Sequence, residues 1–434
     1  MDTFVTHRDA AVRALVDNGL ISTDQPVVGL LDTAAVKRQV EALHNAFDAI
    51  PLTNHTVACK AATMVPILRF LADLGMGCEV ASPGEFAMAE AAGFAPEKIV
   101  VDSPAKTLPE IEHALEVGAA MNIDNYQEMA RLDALMEGRE TSAVIGVRVN
   151  PVVGTGSIAA MSTATTTTKF GIPIIDDATR TELVDAIVAR PWITQLHVHS
   201  GSQGVPLELA AEGIRRIIAL AEDVNAQAGS AQIDRLDIGG GLTVNFDSDE
   251  ITPSYHDYAD VLKREVPELF SGKYMVLTEF GRSLLAKAGS IATKIEYTKQ
   301  VGDRRFAIGH AGAQVATRTV FMPEHWPLRV STYTKEGLPS EAPVMTQDLA
   351  GPCCFTGDMI GRDYEVPEYH PEDIALVHDT GAYYFSTPFA YNALPRTAVY
   401  AYSADAAGEV AFTQIRKQQT IEELVAESGL DVRL

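Results

Sequence analysis

The residues of this chain best suited to chemistry stand at the ends of short apolar runs. Lys60 closes Val57-Ala58-Cys59-Lys60 and is followed at once by the amphipathic set Met64, Ile67, Leu68 and Leu71. A lysine amine emerging where a strand stops is placed for covalent chemistry. Three later strand-like runs finish in His199-Ser200-Gly201-Ser202, in Gly239-Gly240-Gly241 and in Glu279-Phe280-Gly281-Arg282.

Together these groups suit one cofactor. Pyridoxal phosphate needs a lysine for a Schiff base, a group that sets the protonation of its ring nitrogen, packing on the ring face and a cradle for the phosphate. Lys60 offers the amine, Glu279 a carboxylate for the ring nitrogen, and His199 a flat ring. The triplet Gly239, Gly240 and Gly241 lets backbone N–H groups approach an anion, with Ser202, Gly281 and Arg282 beside it. Each residue alone has a plainer explanation: a solvated lysine, a Glu279–Arg282 ion pair at a rim, a structural histidine, a tight glycine turn. A rival chemistry comes from His197 and His199, because residues two apart on a strand face one way and such pairs bind metals. A metal would leave Lys60 and the glycine turn unexplained, so no metal ligand is assigned.

The elements that must carry these groups alternate between about residues 25 and 285. Strand-like runs at 56–60, 78–82, 98–103, 119–124, 143–150, 193–200, 235–240 and 274–280 are separated by helical patterns at 84–92, 126–137, 178–189, 207–226 and 256–268. Eight such strands predict an α/β fold, a (β/α)8 barrel over residues 27–285. Lys60, His199, Gly239 and Glu279 then fall at strand carboxyl ends, the active face of such barrels, and the two anion-binding groups follow strands seven and eight. Beyond residue 286 short β-like stretches between Pro, Gly and acidic turns predict a mostly-β domain over 286–434, to which residues 1–26 could contribute. Val27 to Leu31 could also join it as a strand, before Asp32 or Thr33 caps a helix. A last helix starts at Thr420, with Glu423 completing a capping box.

Composition narrows the partners. A net charge of −24 repels nucleic acid and anionic membrane faces, so an anionic ligand must be caught by local groups. No 18-residue apolar stretch appears and the start of the chain lacks a signal-like apolar core, which predicts a cytoplasmic protein that neither spans nor binds a membrane. Four irregularly spaced cysteines predict reduced thiols rather than a disulfide framework.

The whole set resembles the fold-type III pyridoxal-phosphate decarboxylases, the alanine-racemase-like barrel family that includes diaminopimelate, ornithine and arginine decarboxylases. The likeness runs from about residue 27 to residue 400. It rests on Cys59-Lys60-Ala61, Gly77 to Ser82 with Glu85, His199 to Ser202, Asp237 to Gly241, Glu279 to Arg282, Gly351-Pro352-Cys353-Cys354 with Asp358, and Gly381-Ala382-Tyr383. The run Lys169-Phe170-Gly171-Ile172 looks most like the diaminopimelate branch.

The resemblance implies pyridoxal 5'-phosphate on Lys60, with His199 stacked on its ring, Glu279 at its ring nitrogen, and Ser202, the glycine turn, Arg282 and the Tyr383 hydroxyl at its phosphate. It makes Cys354 the catalytic proton donor, reaching the site from the other subunit of a head-to-tail homodimer. Read without it, Cys353 and Cys354 are core residues. Asp358 would complete the Cys354 loop.

The reaction so implied is α-decarboxylation of an amino acid with a distal carboxylate, bound by Arg282, Arg318, Cys354, Phe355, Asp358 and Tyr383. Where the diaminopimelate branch has a glutamate after the cysteine, to hold a distal amine, this chain has Phe355. Diaminopimelate remains the best single substrate by branch likeness. The alternatives are a specialised intermediate such as a citryl-diaminopropionate-type siderophore precursor, a racemase on the same barrel, or a non-catalytic cofactor-binding paralogue.

Overall fold

The computed structural model describes residues 3–158 and 161–433. The chain divides into two compact units: one holds the segment up to Arg38, Asn245–Glu250 and the chain from Leu285 onward, the other Gln39–Val244 and Ile251–Leu284. After the strand β1 (Val27–Asp32) comes the helix Thr33–Ala46, opened by Asp32, whose Oδ1 accepts the amide of Ala35 at 3.0 Å. That bond satisfies one of the orphan donors of a first turn.

The second unit is a closed parallel barrel. Its strands are β2 (Thr53–Ala58), β3 (Gly77–Val80), β4 (Ile99–Val101), β5 (Ala120–Ile123) and β6 (Ile145–Asn150), then, past the two-residue strand β7 (Ile172–Pro173), β8 (Ile193–His197), β9 (Arg235–Asp237) and β10 (Met275–Phe280). Each pairs in parallel with its neighbours, β10 with β2 and β5 with β6, so the ring has no free edge. The short β7 pairs with the end of β6 and stands outside the ring. The eight ring strands are those expected from the sequence. Most of their residues are buried, though polar side chains such as His55, Glu79, Asn122 and Arg148 interrupt the apolar ones.

Crossover helices begin where the sequence offers caps. Ser82, Asn125 and Asp176 accept the amides of Glu85, Glu128 and Thr179, and Thr107 and Ser254 form capping boxes with Glu110 and Asp257. The longest, Leu207–Ala228, buries Ala211, Ile214, Ile217, Ile218, Ala221 and Val224, the stripe that a period of 3.6 produces. Some polar side chains inside the ring pair with one another or with backbone: Gln195 donates to Asn122 at 2.9 Å, and the Thr56 hydroxyl donates to the carbonyl of Thr278 at 2.8 Å.

The first unit is built on a nine-stranded sheet. Beyond β1 its strands are β11 (Gly289–Val301), β12 (Arg304–Gly309), β13 (Val330–Tyr333), β14 (Val344–Ala350), β15 (Met359–Pro367), β16 (Ile374–Val377), β17 (Ala398–Ala404) and β18 (Val410–Arg416). The main path runs β15-β14-β12-β11-β1-β17-β18, and β16 joins β11 to β13. Both edges of β1 are thus taken, antiparallel by β11 and parallel by β17. The barrel unit therefore begins at Gln39 and not at residue 27, the start expected from the sequence. Asn245–Glu250 also belongs with the sheet: Asp249 takes Arg8 at 3.1 Å and Arg329 at 2.7 Å. The closing helix Ile421–Glu427 carries the expected box of Thr420 and Glu423.

One barrel histidine gives the unit a pH dependence. His55 on β2 is buried, its Nδ1 2.9 Å from the Thr278 hydroxyl, and burial together with His44 pushes its pKa down to about 4. The ring stays neutral in the fold, whereas it protonates below about 6.5 in the unfolded chain. Its contribution is thus present above that value and is lost as pH falls toward about 4. The advantage of the native protein over His55→Gln should shrink by up to about 1.4 kcal/mol per pH unit across that window. Urea unfolding of both proteins at about pH 7 and about pH 5 checks this.

Candidate active site

Lys60 sits two residues beyond the end of β2, in the 3-10 turn Cys59–Ala61 rather than on the strand itself as expected. Its Nζ lies 2.6 Å from Oε2 of Glu79, which the register sets on the adjacent strand opposite Ala58. Glu79 is buried, and burial lifts its carboxyl to about 7, with Lys60 opposing and the charges of Glu279 and Asp102 adding to the rise. An amine and a carboxyl are thereby held within proton-transfer distance on the active face.

Two strands before Lys60 in the ring, β9 leads into the glycine turn. Gly239 and Gly241 have φ of 67° and 96°, a region in which side chains are strained. A Cβ on Gly241 would strike the carbonyl oxygen of Gly201, and one on Gly240 the carbonyl oxygen of Glu279. The turn is thus wedged between the His199 to Ser202 segment and the end of β10. The amide of Gly239 donates to Asp237 Oδ1 at 3.0 Å and that of Gly240 to His199 Nδ1 at 3.1 Å. The second bond puts the proton of neutral His199 on Nε2. Burial and the Arg148 charge push this histidine's pKa well down. The Thr163 hydroxyl donates to the His199 carbonyl, and the Ser202 amide to Met161 at 3.0 Å. Buried Gly281 and Arg282 follow β10 directly.

Behind this rim lies a chain of buried charges. Arg148 donates to Asp102 Oδ2 at 2.6 Å; Asp102 Oδ1 is 3.5 Å from His197 Nδ1; His197 Nε2 is 3.4 Å from Glu279 Oε2. Burial opposes the charge on Glu279, but His197 holds its carboxyl well below the usual range. Its other oxygen, Oε1, is buried with no hydrogen-bond partner among the described residues. A carboxylate with one oxygen so left is matched by a donor such as a protonated ring nitrogen. With the glycine turn, this is where the donor set fits pyridoxal phosphate.

The two histidines do not act as a pair. β8 ends at His197, so strand alternation does not carry on to His199, and the carboxylates within ligand distance, Asp102 and Glu279, gather around His197 alone. The sequence reading had placed no such acids beside it.

The remaining sequence candidates lie in the sheet unit. Cys354 is exposed, and its amide donates to Asn392 Oδ1 at 2.8 Å. Asp358 is buried and braces the same loop, accepting the amides of Ala313 and Cys353, each at 2.6 Å. Phe355 stacks on Phe321 with centroids 5.6 Å apart and meets the edge of Tyr391. Arg318 lies over the rings of Trp326 and Tyr383, and its buried Nη1 has no hydrogen-bond partner among the described residues. Tyr383 itself is buried at a φ of 73°.

Residues 33–286 match the family described as pyridoxal-dependent decarboxylase, pyridoxal binding domain. The chain is 31% identical over 436 residues to diaminopimelate decarboxylase of Pseudomonas aeruginosa, covering 99% of each, and 29% identical over 365 residues to that of Aquifex aeolicus, covering 84% of this chain and 83% of the relative. A crystal structure of diaminopimelate decarboxylase from Helicobacter pylori complexed with L-lysine superposes with a TM-score of 0.83 at 26% identity, over 96% of this chain and all of that one. The chain belongs to the fold-type III pyridoxal-dependent decarboxylases. It is a carboxy-lyase that uses pyridoxal 5'-phosphate on an amino-acid substrate, in the diaminopimelate decarboxylase branch. No helix among the described residues is long and apolar enough to cross a membrane.

Sequence reasoning passed over Asp102 and Arg148. The signal was present: each is a charge in or just after a run of buried strand residues, and such a charge needs a partner. Replacing Gly241 by Ala adds a Cβ at a strained φ against the Gly201 carbonyl, and should lower stability by about 1–3 kcal/mol. Thermal unfolding checks this against Gly138→Ala, a left-handed glycine whose Cβ meets nothing.

Proposed function

We propose that the chain decarboxylates diaminopimelate, acting as a homodimer whose subunits share each active site. The observation that carries the substrate reading is Arg318, a guanidinium fixed over two aromatic rings with a buried Nη1 still open to an acceptor. A distal carboxylate supplies that acceptor, and the arginine fork binds it well. The curated relatives named above are diaminopimelate decarboxylases, and the Helicobacter pylori structure is a complex with L-lysine. That branch likeness outweighs the siderophore-type alternative.

In this reading Lys60 would hold the cofactor aldehyde, and Ser202, residues 239–241, Gly281, Arg282 and Tyr383 its phosphate. His199 would pack on the ring and Glu279 on its nitrogen. Bound there, pyridoxal phosphate supplies a sink for the electron pair left when the Cα–carboxylate bond breaks. Glu79, at 2.6 Å, takes up or returns the proton of the Lys60 amine as substrate enters and product leaves. Cys354 of the other subunit gives the proton that replaces carbon dioxide at Cα. Asp358 keeps its loop in place through two amides.

Phe355 cannot act as the distal acid. Its ring is engaged with Phe321 and Tyr391, and attraction to an ammonium would recover only about 0.5–2 kcal/mol. The distal carboxylate therefore carries more of the recognition in this chain.

Three measurements test the reading. Carbon dioxide release should be fastest with diaminopimelate among diaminopimelate, lysine, ornithine, arginine, glutamate and citryl-diaminopropionate; release favouring ornithine or arginine would sink it. Arg318→Ala should raise KM for diaminopimelate by about 10–100-fold, the loss of one charged hydrogen-bonded contact, with a smaller change in kcat. Cys354→Ala should divert turnover to transamination, seen as pyridoxamine phosphate accumulating in the quenched reaction.

A further inference from the structure

His197 is wholly buried at the end of β8, and groups from every neighbouring element face it. Asp102 follows β4, Arg148 stands on β6, Asp237 ends β9 and Glu279 lies on β10; Lys60, Glu79 and the neutral His199 are the further titratable groups of the same cluster. Its two ring nitrogens point to different carboxylates, Nδ1 to Asp102 at 3.5 Å and Nε2 to Glu279 at 3.4 Å. Neither contact is a well-formed hydrogen bond, but both lie within ion-pair distance of a carboxylate should the ring carry a charge.

The geometry restricts the state of the ring. A neutral imidazole has one N–H and one lone pair, so one of the two carboxylates would face a lone pair in a buried site. Only the imidazolium turns a proton toward both. Arg148 and His197 then stand against Asp102 and Glu279, and Asp237, lifted well above its ordinary range by burial and by Glu279, faces the same group. His197 thereby takes Glu279 Oε2 and leaves Oε1 as the open acceptor.

We propose that His197, clamped between Asp102 and Glu279, is the positioning residue that keeps Glu279 ionised and turned so that Oε1 meets the ring nitrogen of the cofactor. His197 acts only through Glu279. The inference rests on the assignment of Glu279 to that nitrogen made above.

The test has two arms. In the cofactor-free protein with 15N-labelled histidine, one imidazole signal, identified by its loss in His197→Gln or His197→Asn, should stay in the charged form through neutral pH and titrate near about 9, where burial opposes and Asp102, Glu279 and Asp237 raise it. In Glu279→Gln that midpoint should fall by about one pH unit or more, since an opposing charge has gone. In the second arm the protein is loaded with pyridoxal phosphate labelled with 15N in the ring. The protonated fraction of that nitrogen, near complete in the native protein, should drop at least about twofold in both His197 variants.

A neutral His197 at pH 7 would overturn the inference, and that measurement stands even if a variant fails to fold, because Glu279→Gln identifies the signal by moving it. Loss of ring protonation in Glu279→Gln with none in the His197 variants would overturn this inference while leaving the Glu279 assignment intact. An unchanged ring in Glu279→Gln would remove both. A stoichiometric divalent cation in the purified protein, lost on His197→Gln, would overturn it too.

Discussion

The ion pair between Arg148 and Asp102, 2.6 Å apart and almost closed to solvent, is the constraint on which the active face depends. Moving either charge into the barrel alone would cost several kcal/mol, and the pair is tolerated because each compensates the other. Arg148 also lies over the ring of Phe170, 4.4 Å from its centroid, which ties the charge to the loop after β6. Once Asp102 is fixed as an anion, the neighbouring imidazole has a reason to be cationic, and Glu279 in turn has a reason to stay ionised. One arginine on a strand interior thus propagates order to a carboxylate three strands away in the ring.

The same logic explains why the ring strands are short. With three or four residues in β3, β4, β5 and β9, little chain separates the apolar middle of the barrel from its polar end. The chemistry is therefore crowded into one layer of carboxyl-end residues. Its side chains restrain each other, as Asp237 restrains Gly239 and Gly240 restrains His199.

Much of this was legible in the sequence. The eight strands could be read because short apolar-rich runs alternate with helical patterns, and Lys60, His199, Glu279 and the glycine triplet because their positions repeat one rule, function at strand ends. Less legible were β11, β14 and β15. About half of β11 is exposed and β15 is only partly buried, so their alternation is diluted by polar residues and resembles loop. The short helix Ala313–Phe321 was hidden for another reason: its threonines and its kink at Ala316 break the helical pattern. The meeting of the acids around His197 was not legible, since Asp102 follows β4 and Glu279 lies on β10, far apart in the chain. The branch likeness supplied the roles of Cys354, Tyr383 and Arg318, which no local pattern marks.

The pairing of β1 has a consequence for synthesis. Val28 to Asp32 lie in parallel register with Ala398 to Tyr402, so this segment of the nascent chain finds one of its two neighbours only after the whole barrel has been synthesised. Between them the entire barrel is made, a body whose ring closes without help from either segment. Until then β1 keeps one hydrogen-bonding edge open.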